Sequence, residues 1–245
     1  MDPKSRQFDR SSYSFIDHPE KALADYLELG YHIEYNVYSP EECQVLIDAA
    51  HELENAKNQT YRPCMMPHKE KDIFLKMMKN TLIVNTMSNL VGGNAMGLQS
   101  EFFYCKPGTR GFSLHQDNFY VEAEYGVFAS AWIALTDTYP EKGGLIIYPQ
   151  SHKAGTLPVA KLNLIPDQAQ DPNANNEETI IPGEYKRYNI AIPKGAALFI
   201  HGHLVHGSNV NATTDWRYVL LCTYIKAGEN FRSGHYAKRE EVAVR

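Results

Sequence analysis

The stretch Leu114-His115-Gln116-Asp117-Asn118 places a histidine and an aspartate two positions apart, inside a segment whose composition predicts a β-strand over 111–120. In a strand, residues two apart point to the same face and lie about 7 Å apart along the chain. We therefore expect the imidazole of His115 and the carboxylate of Asp117 to close on one small cation. Two ligands alone hold a metal poorly, so a third is expected from elsewhere in the chain.

The best candidate for the third ligand is His206, in the sequence His206-Gly207-Ser208, about ninety residues after the first pair. Two histidines and one carboxylate form the facial triad of non-haem Fe(II) oxygenases, which leaves coordination positions open for substrate and oxygen. The spacing of His201, His203 and His206 also allows a zinc cluster. In a strand, however, His206 would face away from the other two, so we expect His201 and His203 to pack near the site without binding metal.

Composition and charge narrow the class of protein. The chain has 245 residues, of which 43% are hydrophobic and 22% charged, as in one sizeable globular domain. Its net charge of -5 provides no basic surface, so we expect no nucleic-acid partner. No apolar run reaches the roughly 18 residues of a spanning helix and no signal peptide is evident, so we expect no membrane association. The scattered cysteines favour a reduced, cytoplasmic compartment.

Hydrophobic periodicity divides the chain into a helical N-terminal third and a β-rich remainder. The predicted N-terminal elements are helices at 18–29, from 39 onward and at 72–90, a strand at 31–37 and a long loop at 58–71. The predicted strands that follow lie at 99–105, 111–120, 127–136, 144–148, 188–192, 196–201 and 217–225. Many short strands at this spacing are typical of a β-sandwich or a small barrel of the jelly-roll type.

Arg217 opens the last predicted strand, shortly after His206. If these two segments are antiparallel neighbours, Arg217 returns close to His206. A buried guanidinium without a partner is costly, and no acidic residue in the sequence is an obvious mate. The carboxylate of a ligand would serve, because arginine grips a carboxylate through two parallel hydrogen bonds.

Together these motifs resemble the phytanoyl-CoA dioxygenase family, whose members are Fe(II)- and 2-oxoglutarate-dependent oxygenases with a double-stranded β-helix fold. The resemblance covers about residues 98 to 226. The resemblance rests mainly on His115-x-Asp117, on His206-Gly207-Ser208 followed by Asn211, and on Arg217. Further matches are Lys106-Pro107-Gly108, Ala131-Trp132-Ile133-Ala134-Leu135, Gly143-Gly144-Leu145 and Pro149-Gln150-Ser151-His152-Lys153, with Gln150 where glycine is usual.

The resemblance implies a role for each matching polar residue. His115, Asp117 and His206 correspond to the iron ligands. Arg217 corresponds to the arginine that pairs with the distal carboxylate of 2-oxoglutarate, and Ser208 corresponds to a hydroxyl that helps to hold this cosubstrate. An intact Asp117 argues against the halogenating relatives of the superfamily, in which a small residue replaces the carboxylate.

Aromatic residues are expected to complete the cosubstrate site. Trp132 lies where the family packs an aromatic side chain beside the cosubstrate. The strand before the His-x-Asp motif provides further contacts in the family, and we expect them here from Phe102 and Tyr104, which we assign to inward positions. The alternative is that these two aromatic residues belong to the core.

The resemblance implies an enzyme that uses Fe(II), 2-oxoglutarate and O2 to hydroxylate an unactivated C–H bond, with release of succinate and CO2. The loops lack an obvious basic cluster for an acyl-CoA, so we expect a small metabolite, such as an amino-acid derivative or a natural-product intermediate. The same cofactors also support desaturation, cyclisation or epimerisation. Two alternatives are a cupin-like metalloenzyme that does not use 2-oxoglutarate, which leaves Arg217 unexplained, and a non-catalytic binding protein, which would usually have lost a ligand.

We expect a single, mainly β domain over 1–245, with flanking helices around a double-stranded β-helix core of the jelly-roll, cupin-like class. Residues 1–97 form the helical support and lid loop, 98–226 the core with an inserted loop at 161–185, and 227–245 a C-terminal tail. Substrate contacts are expected from 58–71, from 161–185 and from the tail. The oligomeric state stays open.

Overall fold

The computed structural model describes residues 7–162 and 177–245. Its strands are β1 (Tyr31–Glu34), β2 (Cys64–Met65), β3 (Ala95–Cys105), β4 (Phe128–Ala134), β5 (Leu145–Ile147), β6 (Val159–Lys161), β7 (Glu177–Thr179), β8 (Tyr188–Asn189), β9 (Ala197–His201), β10 (His206–Ser208) and β11 (Arg217–Lys226). Its helices are α1 (Pro19–Leu29), α2 (Pro40–His51), α3 (Glu54–Lys57), α4 (Asp72–Met78), α5 (Thr81–Leu90) and α6 (Asn118–Val121).

Two antiparallel sheets form the centre of the fold. The larger has six strands in the order β1-β9-β4-β11-β3-β2, and the smaller has three in the order β10-β5-β8. Apolar residues from both sheets, such as Phe103, Leu145 and Leu198, share one buried cluster between them. The mainly β, jelly-roll expectation is therefore confirmed.

The N-terminal helices cover the other face of the large sheet. Helix α2 begins as the sequence predicts, because Ser39 and Glu42 form a reciprocal capping box around Pro40. Helix α5 begins at a second cap, in which the side chain of Asn80 accepts from the amides of Leu82 and Ile83. The alternation of side chains along each strand thus divides the sheet between a helix-facing side and a sheet-facing side.

The prediction of a strand over 111–120 is wrong, because no continuous strand forms there. Only His115 pairs like a strand residue, in an isolated bridge with His206, and the chain then turns into α6. Asp117 has helical backbone angles, with φ -58 and ψ -37. The side chain of Asn118 stabilises the turn through two hydrogen bonds to the backbone of Ala123. Its Nδ2 donates to the carbonyl of Ala123 at 2.8 Å, and its Oδ1 accepts from the N–H of Ala123 at 3.2 Å. Such local bonds compete with a β-ladder.

Other boundaries also differ from the expectations. The strand expected at 31–37 ends at Glu34, and that expected at 188–192 ends at Asn189. Strand β10 lies in the smaller sheet while β11 lies in the larger one, so His206 and Arg217 are not on neighbouring strands. Most of the inserted loop expected at 161–185 lies outside the described residues; its described end contributes β7, which pairs with β6.

The loop at 58–71 contacts the large sheet through a two-residue strand. Its strand β2 pairs with β3 at Phe102 and Glu101. None of the helices in the described ranges combines the length and apolarity that a membrane crossing requires.

Candidate active site

The antiparallel bridge brings His115 and His206 face to face. Each backbone N–H donates to the carbonyl of the other residue, at 2.8 and 2.9 Å. Asp117 follows at the start of α6, where its Oδ1 lies 3.5 Å from Nε2 of His115 and 3.6 Å from Nε2 of His206. One ligand atom of each side chain lies within 4.8 Å of the others. The structure therefore brings together the three side chains that the sequence singles out.

The second ring nitrogen of each histidine fixes the orientation of its ring. Nδ1 of His115 lies 2.8 Å from the carbonyl oxygen of Ser113, and Nδ1 of His206 lies 3.0 Å from that of Leu204. A carbonyl oxygen can only accept, so Nδ1 carries the proton in both rings. Each Nε2 is then left as a lone-pair donor facing the carboxylate, which is the tautomer that a metal ligand needs.

The charge states of the triad also suit a cation. Burial alone raises the pKa of Asp117, but His206, His115 and the bond from Ser130 outweigh it and hold that pKa well below its ordinary value. Burial, followed by the charge of His115, lowers the pKa of His206 to about 4. For His115, burial is the largest influence and lowers the pKa, but the proximity of Asp117, the carbonyl of Ser113 and the charge of Glu101 together outweigh it and raise that pKa. At neutral pH the site therefore holds an ionised carboxylate and a neutral His206.

The donor set fits a non-haem iron centre. Two imidazole nitrogens and one carboxylate oxygen converge from one side, which leaves the cavity side open for other ligands. Across 7–162 and 177–245, no other group of three histidine, cysteine, aspartate or glutamate side chains converges in this way. In particular, the alternative cluster of His201 and His203 with His206 is not formed.

The triad lies in the wall of a cavity of about 810 Å³, a volume that includes its opening to solvent. The cavity lies between the two sheets and is bounded at one side by α6. Its lining combines apolar, aromatic and charged groups: Gln99, Glu101, Phe103, Phe112, His115, Asp117, Tyr120, Val121, Phe128, Trp132, Leu145, His206, Gly207, Ser208, Arg217, Leu221, Thr223 and Arg239.

Arg217 lines the same cavity at the first residue of β11, where it is 3% exposed. Its Nη1 donates to the carbonyl of Gly143 at 2.6 Å, and its Nη2 donates to the sulfur of Cys105. Its Nε is buried without a hydrogen-bond partner among the described residues. No described carboxylate forms an ion pair with this guanidinium, so a buried positive charge faces the cavity uncompensated. An anionic ligand would satisfy it.

Ser208 and Trp132 lie in the wall of the same cavity as this arginine. The ring of Trp132 has its centroid 5.7 Å from the guanidinium carbon of Arg217. The hydroxyl of Ser208 accepts from the backbone N–H of Phe112 at 2.8 Å, which leaves its own proton available as a donor. Both residues line the same cavity as the triad.

The inward placement expected for Phe102 and Tyr104 is wrong. Both side chains face the N-terminal helices, where the hydroxyl of Tyr104 donates to the carbonyl of Ala50 at 2.5 Å. Residues 99, 101 and 103 of β3 line the cavity instead. The period of two in a strand does not by itself show which face points inward, and both faces of β3 carry aromatic residues.

The structure adds residues that the sequence did not single out. Ser130 of β4 donates from its hydroxyl to Oδ2 of Asp117 at 2.6 Å. Gln99, Glu101 and Thr223 line the far end of the cavity, and Arg239 reaches it from the C-terminal tail. Of the three segments expected to contact substrate, only the tail lines the cavity; neither 58–71 nor the described part of 161–185 does.

A family model for phytanoyl-CoA dioxygenase matches residues 26–219 of the chain. A phytanoyl-CoA dioxygenase domain-containing protein of Danio rerio is 28% identical over 160 residues, which cover 62% of this chain and 52% of that protein. The ectoine dioxygenase of Streptomyces coelicolor is 32% identical over 161 residues, covering 60% of this chain and 52% of that enzyme. The chain thus matches about half the length of these curated relatives.

The fold is also similar to that of a solved structure. The crystal structure of EvdO2 from Micromonospora carbonacea, complexed with 2-oxoglutarate, superposes with a TM-score of 0.71 at 15% identity. The superposition covers 97% of this chain and 96% of EvdO2. Because the family model matches more than half of the chain, and the iron-binding type of triad is present, the chain belongs to the phytanoyl-CoA dioxygenase family of iron- and 2-oxoglutarate-dependent dioxygenases.

Proposed function

We propose that this protein is an Fe(II)- and 2-oxoglutarate-dependent dioxygenase that hydroxylates an unactivated C–H bond of a small metabolite, an amino-acid derivative or a natural-product intermediate. The observation that carries the proposal is the meeting of two features in one cavity. One is the convergent triad of His115, Asp117 and His206, and the other is the buried, uncompensated guanidinium of Arg217. A metalloenzyme that binds no anionic cosubstrate would leave the charge of Arg217 without a partner.

Each residue takes a distinct task in this proposal. His115, Asp117 and His206 would hold the iron through Nε2, a carboxylate oxygen and Nε2. Arg217 would bind the distal carboxylate of 2-oxoglutarate, with Ser208 as a second donor. When bound, iron and 2-oxoglutarate supply the oxidation of the C–H bond, with O2 consumed and succinate and CO2 released.

The rest of the chain orients these groups and keeps water away. The backbone carbonyls behind both histidines hold the rings in the ligating tautomer, and Ser130 holds the carboxylate of Asp117. Trp132 covers one side of the Arg217 guanidinium, which excludes water from its charge and strengthens its attraction for a carboxylate. None of these tasks requires a protein general base.

The character of the relatives supports a small substrate. The Streptomyces coelicolor relative is an ectoine dioxygenase, an enzyme named for a metabolite rather than for an acyl-CoA. The net charge of -5 disfavours nucleic acid as a partner. We propose further that residues 1–97, 98–226 and 227–245 act as one domain, with the helical layer as support for the core.

Succinate formation tests the proposal. Wild type supplied with Fe(II), 2-oxoglutarate and O2 should release succinate slowly without a substrate and faster with one. Asp117→Ala should release none above the background of free iron. Asp48→Ala is the matched control, because Asp48 is an exposed carboxylate on α2 that contacts Gln44, away from the cavity. Equal succinate release by wild type and Asp117→Ala would overturn the proposal.

A further inference from the structure

Helix α6 is a single turn that begins next to Asp117 of the triad. The N–H of Tyr120 donates to the carbonyl of Asp117 at 3.1 Å, so the turn is bonded directly to the backbone of that residue. A single helical turn is unstable in isolation, because fixing its backbone costs more conformational entropy than its first hydrogen bond offsets. The position of the Asp117 backbone therefore depends on what holds α6 from outside.

The C-terminal tail binds the end of α6. The last carbonyls of a helix have no partner within the helix. Here the backbone N–H of Arg232 donates to the carbonyl of Val121 at 2.6 Å, and its Nε donates to that of Tyr120 at 3.2 Å. Nη1 of Arg239 donates to the same Tyr120 carbonyl at 3.1 Å. Two guanidinium groups thus supply donors and positive charge at the end of the helix, which carries a partial negative charge.

Arg239 also joins α6 to the large sheet. Its Nε donates to the side-chain oxygen of Gln99 on β3 at 2.7 Å, while its Nη1 holds Tyr120. Nη1 donates as well to the carbonyl of Arg232 at 3.2 Å, which closes the tail on itself. The planar guanidinium fixes the directions of these donors relative to one another. One side chain therefore connects α6 to a strand that is paired on both sides within the sheet.

The charge of Arg239 has counterparts within the protein. The side-chain amide of Gln99 donates to a carboxylate oxygen of Glu101, so that an amide connects the arginine to the glutamate. Burial lowers the pKa of Arg239, and the negative charges of Glu101 and Asp117 partly offset that effect. Unlike Arg217, this guanidinium does not require an anionic ligand. Its place in the cavity wall is explained by the segments that it connects.

The backbone of the tail is shaped around Arg239. Gly234 has φ 76 and lies against the guanidinium, where an added Cβ would come within 2.9 Å of Nη1. The N–H of Arg239 donates to the carbonyl of Ser233 at 2.8 Å. Beyond this turn the tail returns to the large sheet, where Val242 pairs with Gly97. The arginine is therefore presented by a turn whose far end is anchored on the same strand as Gln99.

We infer that Arg239 is a positioning residue of the metal site, which holds α6 against β3 so that the carboxylate of Asp117 meets the two histidines. This inference rests on the proposed function and adds a residue to that same site. Ser130 holds the Asp117 carboxylate itself, whereas Arg239 acts on the Asp117 backbone through the two ends of the Tyr120 residue. The tail is then part of the metal centre, although the three converging ligand side chains all lie outside it.

Hydrogen exchange in the metal-free protein tests whether Arg239 holds α6. Arg239→Met removes the guanidinium and keeps an apolar stem. We expect the amides of Tyr120 and Glu122 to exchange about tenfold or more faster in this variant, because local opening becomes easier. The amide of Val84 on α5 reports global unfolding and should exchange as in wild type. Lys238→Met is the matched control, because it removes an exposed positive charge at the neighbouring position, outside the cavity.

Metal binding tests whether this hold positions Asp117. Co(II) is the probe, because it takes the same nitrogen and oxygen donors and its visible bands report the coordination geometry. We expect Arg239→Met to shift these bands and to raise the dissociation constant of Co(II) about 10- to 100-fold, as for other partners that orient metal ligands. Lys238→Met should do neither. Gly234→Ala, which displaces the guanidinium without removing it, should change both the exchange and the metal affinity in the same direction.

Two results would overturn the inference alone. One is unchanged exchange of the α6 amides in Arg239→Met, and the other is faster exchange with unchanged Co(II) bands and affinity. If Val84 exchanges equally fast in Arg239→Met, the whole protein is destabilised, and the same two measurements on Gly234→Ala decide. Failure of wild type to bind either Co(II) or Fe(II) would instead overturn the proposed function, whatever the exchange rates of α6.

Discussion

The hydroxyl of Ser130 donates to Oδ2 of Asp117 at 2.6 Å, while Oδ1 of the same carboxylate faces the two histidines. Ser130 is fully buried on β4, the strand between β9 and β11 in the large sheet. Asp117 itself lies in a turn rather than in a strand. A rigid sheet residue therefore fixes the rotation of a carboxylate whose own backbone belongs to a short helix.

Removal of this hydroxyl should weaken iron binding. Partners that orient metal ligands typically contribute a factor of about 10 to 100 to metal affinity. We expect Ser130→Ala to raise the dissociation constant of Fe(II) by that factor, measured anaerobically by competition with a coloured chelator. Ser88→Ala, which removes a hydroxyl bonded to Val84 on α5, is the control and should leave the constant unchanged. Unaltered iron affinity in Ser130→Ala would contradict the positioning role.

Gly111, in the segment before His115, lies tightly against β10. A Cβ added there would lie 1.8 Å from the carbonyl oxygen of Ser208, so the backbone must shift to accept any side chain. We expect Gly111→Ala to lower the free energy of unfolding by about 1–3 kcal/mol or more, measured in urea. Gly183→Ala, where nothing lies within 4 Å of the added Cβ, should change it little. Equal free energies of unfolding for Gly111→Ala and Gly183→Ala would show that the segment before His115 is not packed against β10 as described.

His201 lies in a cluster of three histidines beside the active site but contacts no member of the triad. Its ring lies 4.8 Å from that of His152 and 5.6 Å from that of His203, and its Nδ1 accepts from the backbone N–H of His203. Burial, then the proximity of His152 and His203, lowers the pKa of His201 to about 3. The folded protein therefore keeps this side chain neutral in mild acid.

The lowered pKa predicts a loss of stability in acid. Below an ordinary histidine pKa of about 6.5, His201 binds a proton in the unfolded chain but stays neutral in the folded protein. The free energy of unfolding is therefore fully retained above that pH and falls as the pH is lowered towards 3. Between pH 7 and pH 5 this group should lower the free energy of unfolding by about 2 kcal/mol. We expect the difference in free energy of unfolding between these two pH values to be smaller in His201→Gln by about that amount. The same pH dependence in both proteins would exclude His201 as its source.

The sequence was sufficient to predict which side chains meet at the site, because they have distinctive types and spacing. His115, Asp117, His206 and Arg217 were found from local patterns, and all four line one cavity. The geometry behind them was not predictable in the same way. The turn at Asp117 depends on Asn118 bonding to Ala123, and a buried amide of this kind has no signature in hydrophobic periodicity.

The far end of the cavity could not be predicted for a related reason. Arg239 lies in a polar tail without periodicity, and it reaches the cavity only because Val242 pairs with Gly97. Glu101 lies on a strand whose two faces both carry aromatic residues, so the phase of alternation was ambiguous. Long-range pairing sets which side chains face the cavity, and a single sequence records such pairing weakly.

The most direct test of the central claim is an anaerobic titration of Fe(II) into the protein with and without 2-oxoglutarate, followed by the weak metal-to-ligand charge-transfer band in the visible. Wild type should develop the band only when both are present, and Asp117→Ala should not develop it. Arg217→Ala should need about 10- to 100-fold more 2-oxoglutarate, because a charge-assisted pair is lost. Iron binding by wild type without any band would contradict the account and favour a metalloenzyme that does not use 2-oxoglutarate.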